Sequence, residues 1–499
     1  MTHTPTPQQA LVRDSIAEGP AGPSVTVEAV AGSGKTHTLV LGLNAMSPIA
    51  RLDCAAFAFN KRIVTELQTK APPGSRIATL NSIGHRAVCE ALGKRPSPDK
   101  WKTRNLIKRR FGEDTDAVLE EWPDLPHAVA MCKANALEPS APEDQWAFEE
   151  ISFNSVGAAQ SAKAADTLRK LLQDSIEAAQ RKGEIDFDDQ LYLSAMRYSP
   201  FLPKLRMALI DEAQDLSPVQ HRMLQKMLGS NGTKGRLVAV GDPYQAIYAF
   251  RGADSSSMNT LRGAFGIAPE HQLPLSVSFR CPKAVVELAK KLVPHISSAP
   301  EAKDGSVRSE PQDKLYELAR AGDAVLCRNN APLMSCALAF LSKRRPVQIL
   351  GRDLHVGLAS IVKRLTGETC AELRKALEEW EVLEVTILQS RQQSESKLNA
   401  VHDRAAALRA IFEDLQPTDT RAKALEVLAY LFEDKAQAVL LATGHKAKGL
   451  EWPRVFILEP NLLPSRWAKT DGAREQERNL QYVLITRAQE ELIFLGEVW

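Results

Sequence analysis

The sequence predicts an α/β protein with two parallel-sheet domains, each carrying a mainly helical insertion. Three observations lead there. Short apolar runs alternate with helical patterns in the first half, as crossover helices between parallel strands require. A glycine-rich segment ending in Lys35-Thr36 falls where one such run gives way to a helix. The alternation then stops for a long helical stretch, resumes, stops for a shorter one, and resumes again before the C-terminus.

Ser24–Ala29, Cys54–Phe59, Arg76–Leu80, Arg206–Ile210 and Arg236–Val240 read as buried strands of the first sheet. Between about Gly84 and Pro203 the strand signal fades. Helical patterns take over there, punctuated by Pro96, Pro98, Pro123, Pro126, Pro139 and Pro142. Ala324–Cys327, Val347–Leu350, Ala438–Ala442, Val455–Leu458 and Glu491–Leu495 read as strands of the second sheet, and roughly His355 to Asp434 is helical and charged. Gln389–Ser396 reads as a polar face or a loop. The expected organisation is residues 1–84 and 204–280 for the first sheet domain, 85–203 for its insertion, 281–354 and 435–499 for the second, and 355–434 for its shorter insertion.

The 499 residues suit about three or four structural units at roughly 150 residues each. Basic and acidic residues nearly balance, for a formal charge of +2, so the average charge excludes no partner; a nucleic-acid binder of this size needs only a local basic track. The seven cysteines are scattered with no C-x-x-C pair, which argues against a disulfide framework or structural zinc and for a reducing, intracellular setting. No signal peptide is read at the polar N-terminus, and no apolar run approaches the ~20 residues of a membrane span.

The sharpest local signal is Ala29-Val30-Ala31-Gly32-Ser33-Gly34-Lys35-Thr36, after a strand and opening a helix. In that context the backbone N–H groups of Ala31, Gly32, Ser33 and Gly34 converge on phosphate oxygens, and the helix N-terminus adds a positive dipole. Lys35 would reach the β- and γ-phosphates, and Thr36 would offer a hydroxyl to Mg²⁺. Ala29 stands where the general pattern has its first glycine. The second carboxylate such a loop needs comes from Ala208-Leu209-Ile210-Asp211-Glu212: Asp211 for the metal, Glu212 to orient and deprotonate a water.

Longer patterns carry a resemblance. Asp211-Glu212-Ala213-Gln214-Asp215, Gly241–Ala253 (GDPYQAIYAFRGA), Leu275–Arg280 (LSVSFR), Thr443–Trp452 (TGHKAKGLEW) and Asn479–Ala488 (NLQYVLITRA) resemble, in order and spacing, the boxes of UvrD/Rep-type superfamily 1 DNA helicases. Ala58–Lys61 and the compact second insertion are most similar to the F-box DNA helicase and small phage helicase branch. The resemblance implies two RecA-like lobes sharing one ATP. Gln245 links the γ-phosphate to the DNA-facing loop, Arg280 and Arg487 are γ-phosphate arginines, and Glu451 contacts the ribose. Gln8 reads the adenine edge, with Gln9 as the fallback, and Phe279 takes the place of a base-stacking Tyr.

For DNA, the resemblance implies backbone contacts from Asn60 and Lys61, and from Asn81 where the family normally has His. Phe250 takes the position of a base-stacking Trp, and Tyr248, Arg251 and His445 flank the same track. Stacking holds single strands without reading sequence. The implied partners are single-stranded DNA, single/double-strand junctions and a loading or regulatory protein, and the implied direction is 3′→5′. Lys94–Arg110 is strongly basic and includes Trp101; it reads either as a phosphate-binding track or as a solvated helix face. In Gly183–Asp189, Phe187 is expected to be buried and Asp186 or Asp189 to cap. Three other readings compete: a nucleotide-gated DNA switch with little hydrolysis, a small-molecule P-loop kinase, and a translocase that strips proteins from DNA. The long boxes at Gly241–Ala253 and Thr443–Trp452 speak against the kinase.

Overall fold

A computed structural model of the protein describes residues 4–156, 161–198, 201–229, 235–248, 252–254, 256–390, 395–466 and 468–499. The chain forms two compact units, Met1–Ser276 and Val277–Trp499.

The first unit is built on six strands: β1 (Val25–Ala29), β2 (Cys54–Phe57), β3 (Arg76–Ala78), β4 (Met207–Ile210), β5 (Arg236–Gly241) and β6 (Gln272–Leu275). They lie in the order β3-β2-β4-β5-β1-β6, and every pairing is parallel. Every residue of β2, β4 and β5 is buried, as expected of a parallel sheet covered on both faces. Side-chain alternation divides β4 between two cores. Ala208 and Ile210 face one cluster with Phe57 and Leu237, while Met207 and Leu209 face another with Val27 and Val240. The first cluster continues through Ile107, Val129, Phe148, Leu168 and Tyr192 into helices that lie between β3 and β4 in the chain.

Those helices enclose a buried charge cluster. Lys102 Nζ lies 2.5 Å from Asp189 Oδ2, and Lys133 Nζ lies 2.6 Å from Asp186 Oδ2 and 2.8 Å from Asp189 Oδ1. Asp186 and Asp189 also cap one another's turn, each accepting the other's backbone N–H at 2.9 Å. Phe187, expected to be buried, is instead 59 % exposed. The reciprocal capping turns its neighbours inward toward the lysines and leaves Phe187 on the outside of the turn.

The basic stretch Lys94–Arg110 is not one continuous track. Lys102 belongs to the buried cluster, Arg109 pairs with Glu184, and Arg110 makes a two-pronged contact with Asp174 at 2.6 and 2.8 Å. Lys100 and Arg104 flank the exposed Trp101 ring.

The second unit holds a two-stranded pair, β7 (Val277–Ser278) with β8 (Ser297–Ser298). It also holds a six-stranded parallel sheet: β9 (Ser306–Glu310), β10 (Ala324–Cys327), β11 (Val347–Ile349), β12 (Val439–Thr443), β13 (Trp452–Leu458) and β14 (Ala488–Leu495). Its order is β11-β12-β10-β13-β14-β9. Helices Arg352–Arg364, Cys370–Ser390, Glu395–Asp414 and Arg421–Phe432 intervene between β11 and β12. Thus both ends of the Gln389–Ser396 stretch are helical, and 391–394 lie outside the described residues.

Of the strands absent from the sequence reading, β7 and β8 are two residues each, and β6 and β9 are both edge strands of the six-stranded sheets. Paired on one side only, they tolerate Pro274 and the polar sequence SVRSE, which carry no strand signal. Among the described residues, no helix is long and apolar enough to cross a membrane.

Lys133→Met would leave Asp186 and Asp189 short of a buried cation. It should destabilise the first unit by roughly 3–5 kcal/mol, read as a lower urea midpoint. Burial alone would raise Asp186, but Lys133 and Lys102 outweigh it and hold this carboxyl well below its usual range. A depressed carboxylate contributes stability that is complete above its unfolded value near 4 and is lost as pH falls below it. The urea midpoint should therefore drop below about pH 4 in the wild type, and less steeply in Lys133→Met.

Candidate nucleotide-binding site

Helix α1 (Pro7–Ala17) starts at Thr6, which forms a reciprocal capping box with Gln9. Buried Arg236 fastens the far end of this segment, donating to Pro23 O, Gly19 O and Ser15 Oγ at 2.6, 2.7 and 2.9 Å. Next in the chain, β1 runs through Val30–Gly34 into helix α2 (Lys35–Ala45). Gly32 and Gly34 have φ of 72° and 78°, left-handed values that strain any residue with a Cβ. Val30 N donates to Leu275 O at 2.9 Å, tying the start of the loop to β6.

The acids arrive at the carboxyl end of β4, near the ends of β5 and β1, where open α/β sheets bind ligands. Thr36 Oγ1 donates to Asp211 Oδ2 at 2.7 Å, and Lys35 Nζ lies 3.6 Å from Glu212 Oε2. Burial and the neighbouring Glu212 carboxylate push Asp211 up to about 6. Glu212 itself sits in the left-handed region, at φ 54°. A non-glycine residue held there is a strain that surrounding contacts must sustain. Gln214 supplies one, donating from Nε2 to Glu212 Oε2 at 2.7 Å. The same amide accepts Asp242 N–H at 2.9 Å, and Gln245 Nε2 donates to Asp242 Oδ2 at 2.6 Å. Asp242 is fully buried, and burial raises it.

The two glutamines of α1 have different surroundings. The half-buried Gln8 is hydrogen-bonded to Ser276, whereas the buried Gln9 donates to Ser33 O at 3.2 Å and belongs to the cap. Of the residues expected to touch nucleic acid, Asn60 caps the helix Lys61–Lys70 by accepting Ile63 N–H at 3.0 Å, and Lys61 is exposed in its first turn. Asn81 Nδ2 reaches Gln190 Oε1 at 3.5 Å. Tyr248 lies parallel to Phe59, ring centroids 6.2 Å apart. Phe250 and Arg251 lie outside the described residues.

In the second unit, Arg280 forms an ion pair with Glu451, which also accepts from Gln489 Nε2 at 2.8 Å. Arg487 is 1 % exposed, donating to Val483 O, Leu450 O and Thr486 Oγ1 at 2.9, 3.1 and 3.0 Å. Burial and the nearby Arg280 charge push it down to about 10. Two guanidiniums near one carboxylate leave a local excess of positive charge. Phe279 is half-buried, as is His445 in the short helix Gly444–Ala447 that follows β12.

Residues 13–266 match the UvrD/REP helicase N-terminal domain, and residues 359–496 match the UvrD-like helicase C-terminal domain. The chain belongs to the UvrD/Rep helicase family. Among its relatives is ATP-dependent DNA helicase UvrD2 of Mycobacterium tuberculosis, 25 % identical over 94 % of this chain and 76 % of that protein. F-box DNA helicase protein 1 of Schizosaccharomyces pombe is 24 % identical over 95 % of this chain but only 55 % of that protein. DNA helicase II of Escherichia coli is 23 % identical over 96 % and 84 %.

Within this UvrD/Rep chain, Lys35, Thr36, Asp211, Glu212 and Gln245 are joined by direct contacts or through Gln214 and Asp242. Neither Gln214 nor Asp242 was singled out from the sequence. Their signal was position alone: Gln214 sits two residues from Glu212 and Asp242 three from Gln245, each inside a box already recognised. Phe59, read as the end of a buried strand, lies instead beyond β2, which stops at Phe57, and is 45 % exposed beside Asn60 and Lys61.

Gly241 is where this network is tightest. A Cβ there would lie 2.7 Å from Gln214 Oε1 and 3.0 Å from Gln214 N. Gly241→Ala should displace Gln214, free Glu212, and lower the ATPase kcat on the order of tenfold to a hundredfold, with little change in the melting temperature.

Proposed function

We propose that this UvrD/Rep family member is an ATP-driven motor that moves 3′→5′ along single-stranded DNA and unwinds duplex ahead of it. The observation that carries this reading is the unbroken polar chain from Thr36 through Asp211, Glu212, Gln214 and Asp242 to Gln245, three residues before Tyr248. Two further bonds tie the segment after Tyr248 to the segment after Glu212: Asp254 N donates to Leu216 O at 2.9 Å, and Ser257 Oγ donates to Ala213 O at 2.6 Å. A shift at the phosphate end therefore has rigid partners through which to reach the nucleic-acid end.

In this reading the N–H groups of Ala31–Gly34 and Lys35 hold the phosphates of ATP. Glu212 takes the proton from a water as its oxygen bonds to the γ-phosphorus and the bond to ADP breaks. The hydroxyl of Thr36 and the carboxylate of Asp211 are hard oxygen donors that fit Mg²⁺. When bound, the ion neutralises phosphate charge. Gln8 reads the base, Glu451 contacts the ribose, and Phe279 packs on the base. Arg280 and Arg487 serve as γ-phosphate arginines. The parallel Phe59 and Tyr248 rings, with Phe250, Arg251 and His445, hold bases by stacking and charge, while Asn60, Lys61 and Asn81 touch the backbone.

ATPase rates with and without single-stranded DNA test this directly. The wild type should be strongly stimulated, and Lys35→Ala should lose nearly all activity; equal wild-type rates in the two conditions would exclude a coupled motor. Tyr248→Ala should raise the DNA concentration for half-maximal stimulation several-fold, since each stacked base is worth about 1–3 kcal/mol. Partial duplexes with a 3′ or a 5′ tail decide direction: unwinding should require the 3′ tail.

A further inference from the structure

Three buried or half-buried side chains meet beside the peptide that follows Glu212. Ser257 opens the helix Ser257–Phe265, and His221 lies in the helix Pro218–Leu228. Ser257 Oγ is 2.6 Å from Ala213 O and 2.9 Å from His221 Nε2, and His221 Nδ1 is 3.7 Å from Asp254 Oδ2. Hydrolases use serine, histidine and aspartate in this order as a nucleophile and its activators. Ser257 is no nucleophile here, since it and His221 are only 1 % and 4 % exposed and its hydroxyl is committed elsewhere. A hydroxyl has one proton and a carbonyl can only accept, so the Ser257 proton lies toward Ala213 O. The ring Nε2 is then the donor to Ser257, which leaves Nδ1 bare and accords with its 3.7 Å gap from the Asp254 carboxylate. Burial holds His221 down to about 4, so the ring is neutral near pH 7. Asp254 is held in turn, its carboxylate accepting from Ser256 N–H, Ser256 Oγ and Thr260 Oγ1 at 2.8, 2.7 and 2.5 Å.

We infer that Ser257 is a positioning residue for hydrolysis, holding the Ala213–Gln214 peptide so that the Gln214 amide keeps the Glu212 carboxylate in place beside Lys35. This rests on Glu212 activating the attacking water. The Ala213 carbonyl belongs to the peptide that carries Gln214, and Gln214 Nε2 donates to Glu212 Oε2 at 2.7 Å. The carbonyl's other partner, Leu216 N–H, is a long 3.4 Å away, so the serine does most to fix the plane of this peptide. Glu212 needs such support, because its φ of 54° is a strained one for a residue with a Cβ. Without the hydroxyl the peptide can turn, the amide moves with it, and the carboxylate loses its restraint. A general base displaced in this way is a slower one.

The test is a double-mutant cycle on the DNA-stimulated ATPase, with kcat expressed per nucleotide-binding site. Ser257→Ala is made in the wild type and in Gln214→Met, which keeps most of the bulk of Gln214 without its amide. In the wild type it should lower kcat roughly threefold to tenfold, the worth of one hydrogen bond, with little change in the KM for ATP. In Gln214→Met the same substitution should change kcat by less than about twofold, because the amide through which Ser257 acts is gone. Equal losses in the two backgrounds, or no loss in the wild type, would overturn the inference. If Ser257→Ala folds poorly, the double variant Ser257→Ala/His221→Leu removes both buried polar groups together, a nearly neutral change for stability, and should show the same pattern. His221→Leu alone leaves the bond to Ala213 in place and should keep the wild-type kcat; a loss as large as that of Ser257→Ala would also sink the proposal. Full kcat in Glu212→Gln would instead remove the water-activating role of Glu212 itself and, with it, this inference.

Discussion

The 2.7 Å hydrogen bond from Thr36 to Asp211 joins the first turn of α2 to the end of β4, across a sheet in which β5 separates β4 from β1. The remaining geometry of the first unit depends on it. Asp211 is almost entirely buried beside a second carboxylate, an arrangement that burial and like charge both oppose. The Thr36 hydroxyl and the Lys35 ammonium oppose that shift, and both come from the first two residues of one helix. Left-handed turns at Gly32 and Gly34 set where that helix begins. Loop conformation, helix start and acid placement therefore form one constraint.

From Asp211 the constraint spreads through buried polar groups that cannot be left unpaired cheaply, each costing about 1–3 kcal/mol when stripped of its partner. Gln214 bridges Glu212 and the Asp242 backbone, and Gln245 caps the Asp242 carboxylate. Such a network has few alternative arrangements, since moving one amide strands its neighbours. The bonds from Asp254 and Ser257 back to Leu216 and Ala213 extend it to the segment that follows Tyr248.

The helices between β3 and β4 solve a different problem with similar means. Two lysines and two aspartates are buried together, each acid bonded to a lysine and to the other acid's backbone. A buried ion cluster of this kind is weak evidence for stability, yet a shifted helix would leave a bare charge in the core. The cluster also removes Lys102 from the basic surface, and Arg109 and Arg110 are held by Glu184 and Asp174.

By itself the sequence determined what depends on local pattern. The central strands, the phosphate loop, the paired acids and the order of the boxes were legible because a strand buried on both faces must be apolar, and a phosphate-binding turn must have glycines followed by Lys-Thr. Only tertiary structure decided the rest. β6 and β9 escaped notice because Pro274 and the polar run SVRSE mask the strand pattern, which a single paired side tolerates. Phe187 faces outward, and Lys102 inward, because of partners distant in sequence, Asp186 with Lys133 across 53 residues and Asp189 with Lys102 across 87. Gln214 and Asp242 acquire roles through hydrogen bonds that close only after the sheet has assembled. A side chain's chemistry is written at its own position, but whether it is buried, paired or oriented is a property of whatever the fold brings against it.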